Sequence, residues 1–177
     1  MNYIYNKSII LCGFMACGKS TVGKELALRL ELPYIDTDEL IVSKSGMSIP
    51  DIFVHKGEAV FREYEKNTVH YISCLPPHVI SSGAGMLCTK ENAVLLKNNA
   101  IIIYIYRDFP TIFNIISNDK NRPMAYGKDY NEIKKLYDFR AQKYMAHSNF
   151  MVKNLNTVKN CTESIVLKLF NFYGNTD

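Results

Sequence analysis

The stretch GFMACGKST at residues 13–21, directly behind the apolar run SIILC, constrains this chain more tightly than any other part of it. Gly13, Gly18, Lys19 and Ser20 fit the P-loop pattern G-x-x-x-x-G-K-[ST], a chance match on the order of one in a hundred for a chain this long. Such a loop sits where a strand hands over to a helix, whose first N–H groups then face an anion. The flanks agree, because Val22, Leu26, Ala27 and Leu30 recur at helical spacing and can face a sheet. Backbone N–H groups along Met15, Ala16, Cys17 and Gly18 would wrap a polyphosphate, and Lys19 supplies a point charge for the β- and γ-phosphates. Ser20 would ligate Mg²⁺, with Thr21 beside it. Cys17 reads either as a thiol activated by the helix N-terminus or, more blandly, as a small filler.

The rest of the chain alternates apolar strand-like runs with helical patterns. Strands are expected at 8–14, 34–36, 78–82, 100–106 and 150–152, and helices at about 19–31, in stretches to 73, at 90–98, 110–117, 129–146 and 161–173. Runs as apolar on both faces as AIIIYIY (100–106) belong in the centre of a parallel sheet. The expected fold is therefore three-layer α/β, a sheet covered by helices on both faces. The 177 residues, with 47% hydrophobic and 21% charged, fit one domain, 1–177, that buries roughly 70% of its unfolded surface. A net charge of +4 favours anionic ligands, but no Lys/Arg cluster dominates a segment, so a nucleic-acid partner is not expected.

Five cysteines, an odd number at irregular spacing, suit free thiols in a reducing compartment, which points to the cytoplasm. None has zinc-ligand spacing, and the four histidines suggest no metal. The run SIILCGFMAC superficially resembles a signal core, yet nothing reaches the roughly 20 apolar residues of a membrane span. A monomer with no membrane partner is expected. SNDKNRPMAYGKD (117–129), polar and carrying Pro and Gly, is the natural place for a mobile loop.

YIDTDEL (34–40) sets two carboxylates, Asp36 and Asp38, one residue apart at a strand end. Like charges so placed repel unless a cation or hydrogen-bond donors intervene. Asp36 can reach Mg²⁺ directly or through water while Asp38 faces an acceptor hydroxyl; either can also cap the next helix. No Asn/Thr-Lys-x-Asp guanine-reading motif is present, and the compact length points to a small kinase rather than a switch or motor.

In their order and separations, GFMACGKST, DTD, GEAVFREYE, SSGAGM, RP and RAQKY resemble the shikimate kinase family from about residue 8 to 153. The resemblance implies phosphoryl transfer from ATP to the 3-hydroxyl of shikimate, a five-stranded parallel sheet of the P-loop kinase type and a closing lid at about 117–128. It assigns Asp38 to the shikimate hydroxyls, Arg62 and Arg140 to its carboxylate, and Gly83, Ala84 and Gly85 to the acceptor ring, within an acceptor region that includes about 37–65. Phe53 and Phe61 would form the apolar side of that pocket and Glu65 would hold Arg62. Lys19, Asp38 and Arg122 are then the catalytic set, with Arg122 swinging over the β,γ-phosphates. The cofactors implied are ATP and Mg²⁺, and the partner is shikimate.

Three features depart from the family pattern. Ala16 and Ala84 stand where glycine is usual, and the lid lacks the basic residue expected to stack on adenine. Ala84 is expected at negative φ, with any unusual angles taken by Gly83 and Gly85. The alternatives are another sugar-acid or nucleoside monophosphate kinase on this fold, or a catalytically weak nucleotide-binding regulator.

Overall fold

The computed structural model describes residues 6–117, 127 and 129–174. Five strands, β1 (Ser8–Cys12), β2 (Tyr34–Asp36), β3 (Val79–Ser81), β4 (Ala100–Tyr106) and β5 (Phe150–Lys153), form one sheet in the order β2-β3-β1-β4-β5. Every pairing is parallel, with Ile9 opposite Val79 on one side of β1 and Ile101 on the other. The helices are α1 (Lys19–Leu30), α2 (Thr37–Ser45), α3 (Ile49–Ser73), α4 (Lys90–Asn99), α5 (Phe109–Ile116), α6 (Tyr130–His147) and α7 (Val158–Gly174). α1 packs with α7, while α4 and α6 pack on β4 and α3 packs on α4, so helices cover both faces of the sheet. That covering explains why Ile101, Ile102 and Ile103, which alternate sides along β4, are all buried. No described helix is long and apolar enough to cross a membrane.

The helix boundaries follow capping chemistry. Asp108 caps α5 by accepting from Thr111 N, and Asp129 with Glu132 closes a reciprocal capping box on α6. The helical stretches expected up to residue 73 are two helices: Gly46 ends α2 in the left-handed conformation at φ 67°, and Ser48 caps α3. α3 is itself interrupted at Gly57, with φ 82° and ψ 167°. α7 begins three residues before the expected 161, because the Thr157 hydroxyl accepts from Asn160 N and starts the helix there.

The main core surrounds the sheet. A separate small apolar cluster of Ile41, Ile52 and Phe61 lies between α2 and α3. Chain connections run from β1 out to β2 and β3 on one side, then cross to β4 and β5 on the other. β1 is thus the switch point of the sheet, and its carboxyl end is where an α/β fold opens a ligand crevice.

Candidate active site

The P-loop leaves β1 at this switch point. Gly13 at φ 151° and Gly18 at φ 97° adopt angles that disfavour side chains, and a Cβ on Gly13 would meet the carbonyl of Ile105 on β4. Ala16 adopts φ 60°, the left-handed conformation that makes glycine usual there. The loop is held from behind by Asn154, just past β5. Its amide donates to Cys17 O at 2.8 Å, and its backbone N–H donates to Tyr106 O at 2.8 Å. Cys17 is 0% exposed, as befits the filler reading, and Met15 is buried with it. Lys19 Nζ donates to the carbonyls of Gly13 and Phe14, both at 3.0 Å, which sets its ammonium against the loop.

Asp36 both caps and bridges. Its Oδ1 accepts from Asp38 N at 3.0 Å to start α2, while its Oδ2 accepts from the Ser20 hydroxyl at 2.7 Å. β2 and α1 thereby bring a carboxylate and a hydroxyl to one point of a cavity of about 540 Å³, whose lining also includes Lys19, Thr21 and Asp38. A hard cation such as Mg²⁺ is held by one or two protein oxygens with phosphate and water completing the shell. Ser20 and Asp36 fit that donor set, and no group of three or more His, Cys, Asp or Glu side chains suited to a metal occurs among the described residues. The cradle of loop N–H groups and Lys19 fits a polyphosphate.

The acceptor candidates converge beside this cavity. Gly83 follows β3, and its N–H donates to the Thr37 hydroxyl at 2.8 Å. A Cβ on Gly83 would fall on Asp38 Oδ1, and one on Gly85 would fall on Arg62 Nη1. Neither glycine has positive φ, and nor does Ala84. The expectation for Ala84 holds, whereas the flanking glycines serve close approach rather than unusual angles. The Ala84 carbonyl accepts from the Tyr144 hydroxyl at 2.5 Å, which ties the turn to α6.

Arg62 donates to Glu65 at 2.6 Å and to Glu58 at 2.6 Å. Glu65 is 1% exposed, and burial, outweighing Arg62, pushes its carboxyl above the usual range; Asp38 adds to the rise and Arg140 opposes it. Burial works against the charge on Arg62, but Glu65 and Glu58 lift its pKa. Arg140, 5% exposed, lies over the Phe14 ring, 5.9 Å from its centroid. A buried guanidinium of this kind suits a planar carboxylate. Phe53 and Phe61 pack with ring centroids 4.9 Å apart, and Phe61 belongs to the small cluster between α2 and α3.

Arg122 and most of the expected lid lie outside the described residues. Four contributors escaped sequence reasoning: Thr37, Asn154, Tyr144 in its hydroxyl role, and Arg107, which lines the cavity from the end of β4. Thr37 and Tyr144 stood inside quoted motifs, in DTD and RAQKY. Asn154 and Arg107 carry no local signal.

The comparisons accord with this geometry. The family model described as shikimate kinase matches residues 15–171. Shikimate kinase of Sulfurihydrogenibium sp. (strain YO3AOP1) is 35% identical over 163 residues, covering 92% of this chain and 98% of that protein. The enzyme of Macrococcus caseolyticus (strain JCSC5402) is 37% identical over 161 residues, covering 88% and 92%. The structure of shikimate kinase from Acinetobacter baumannii in complex with shikimate superposes with a TM-score of 0.85 at 29% identity, over 96% of this chain and 94% of that one. The chain belongs to the shikimate kinase family and is an ATP-using enzyme of the shikimate pathway.

Proposed function

We propose that the P-loop cavity and the cluster of Asp38, Arg62, Gly83, Gly85 and Arg140 are the donor and acceptor halves of one active site, in which the 3-hydroxyl of shikimate receives the phosphoryl group. The observation that carries this reading is the approach of Asp38 and Arg62 to the glycine turn: each lies where a Cβ on Gly83 or Gly85 would have to be. A small hydroxylated acid could rest against bare backbone there, its carboxylate on Arg62 and Arg140 and its hydroxyls toward Asp38. Glu65 and Glu58 hold the Arg62 guanidinium in one orientation before any ligand arrives. Phe53 and Phe61 give the neighbourhood an apolar side.

Ser20 and Asp36 would hold Mg²⁺, which with bound ATP supplies charge neutralisation on the phosphates. Lys19 contributes a positive charge that follows the developing negative charge of the leaving phosphate. Asp38 orients the acceptor hydroxyl and takes its proton. Arg122 would cover the phosphates and exclude water from the lid side. In chemistry of this kind, positioning and electrostatics provide most of the acceleration. We further propose that the enzyme acts as a monomer in the cytoplasm.

A coupled ADP-release assay with shikimate, gluconate and nucleoside monophosphates tests the reading. Shikimate alone should support turnover. Lys19→Ala should remove nearly all of it, and Arg62→Ala and Arg140→Ala should each weaken shikimate binding by roughly 2–4 kcal/mol while leaving ATP affinity unchanged. Equal loss of both ligands in the arginine variants would refute the division into two halves.

A further inference from the structure

We infer that Arg107 is a nucleotide-binding residue whose guanidinium holds the α-phosphate of the bound nucleoside di- or triphosphate. The inference rests on the cavity being the nucleotide site. Arg107 is the first residue after β4, and its partly buried side chain lines the same cavity as Lys19 and Ser20. Its backbone is fixed, since its carbonyl accepts from the Tyr137 hydroxyl at 2.9 Å. The carboxylate beside it is engaged elsewhere, because Asp108 caps α5 through Thr111 N. Among the described residues no carboxylate pairs with Arg107 within 4.0 Å.

Topology decides which phosphate it meets. The cavity has two walls separated by β1 and its loop. Asp36, Asp38 and Ser82 come from the β2–β3 side; Arg107 and Ile115 come from β4 and α5 on the other. The acceptor groups Asp38, Gly83 and Gly85 also stand on the β2–β3 side, so the transferable phosphoryl group must point that way. The α-phosphate and nucleoside must then extend toward β4. Ile115, 46% exposed on that wall, offers an apolar surface to the base or ribose. Among the described residues, Arg107 is the cation that lines the cavity on that wall, facing the phosphate between them. A fork of N–H donors on a phosphate is a strong charge-assisted contact.

Affinities for ATP, ADP and GTP, measured by titration calorimetry, and ATP and shikimate KM values should be compared in the wild type, Arg107→Ala, Arg107→Lys and Lys19→Ala. Arg107→Ala is expected to weaken ATP, ADP and GTP by one common factor of about 10 to 100. ATP KM should rise by that factor, with kcat at saturating ATP held, because the contact is the same in ground and transition states. Arg107→Lys should recover part of the loss. Unchanged nucleotide affinity in a folded Arg107→Ala protein would overturn the inference, as would a loss for ATP without one for ADP, or unequal factors for ATP and GTP. Should Arg107→Ala fail to fold, Arg107→Gln carries the same comparison. Lys19→Ala keeps the two readings apart: retained nucleotide affinity there refutes the cavity as the nucleotide site, whereas its loss beside an unaffected Arg107→Ala refutes only the role of Arg107.

Discussion

Ala16 and Glu31 are the two described residues other than glycine that hold positive φ, at 60° and 54°. A side chain in that conformation costs roughly 1–2 kcal/mol, part of which glycine gives back through a more flexible unfolded chain. Ala16→Gly and Glu31→Gly should therefore each stabilise by about 0.5–1 kcal/mol, a rise of roughly 1–4 °C in Tm by thermal denaturation. Glu31 ends α1, where glycine is the preferred residue, so its variant serves as the comparison remote from the loop. Glu65 gives a pH signature. In the folded protein it keeps its proton above the ordinary 4.5, so between that value and the raised one the folded state binds more protons than the unfolded chain. Stability from this group is complete below 4.5 and falls as pH rises through the window. Plotted as Tm against pH, wild type should lose ground to Glu65→Gln across that interval; a parallel pair of curves would contradict it. Lys19, Asp38, Arg62 and Arg140 could be read from the sequence because each sits in a short motif. Asn154 could not: it acts on Cys17, 137 positions away, and only the fold brings them together.

At the scale of elements, α6 does two tasks with one face. Arg140 and Tyr144 lie one turn apart and are both buried, so the helix that carries the guanidinium proposed for the acceptor also pins the Gly83–Gly85 turn through Ala84 O. Tyr144→Phe should leave α6 in place and cost about 1 kcal/mol of stability by removing that hydrogen bond. Shikimate KM should rise several-fold while ATP KM stays constant; equal changes in both would mean general loosening of the fold. The strands and most helices were legible because the alternation of apolar runs with helical periodicity is strong. The break between α2 and α3 was harder to see. Gly46, Ser48 and Pro50 all signal it, yet the flanking residues keep a helical rhythm. The turn at Met86–Cys88 had no signal of its own, since its geometry follows from packing beneath α6.

For the whole molecule, parallel topology was legible from the doubly buried strands, but the strand order was not, because nothing local states which neighbours β1 will take. The order matters, since it sets Arg107, inferred to hold the nucleotide, and Asp38, Gly83 and Gly85, proposed for the acceptor, on opposite sides of a single loop. The separate cluster of Ile41, Ile52 and Phe61 has a consequence for motion. α2 and the first part of α3, up to the break at Gly57, rest mainly on this small cluster, and Leu40 of α2 joins them to the core around the sheet. Such a unit can open without unfolding the rest. Amide protons there should exchange with deuterated solvent well before those of β1 and β4, and shikimate should slow that exchange, since Asp38 and Arg62 flank the region. Measured by mass spectrometry, uniform protection across both regions would mean that the acceptor side and the sheet open together.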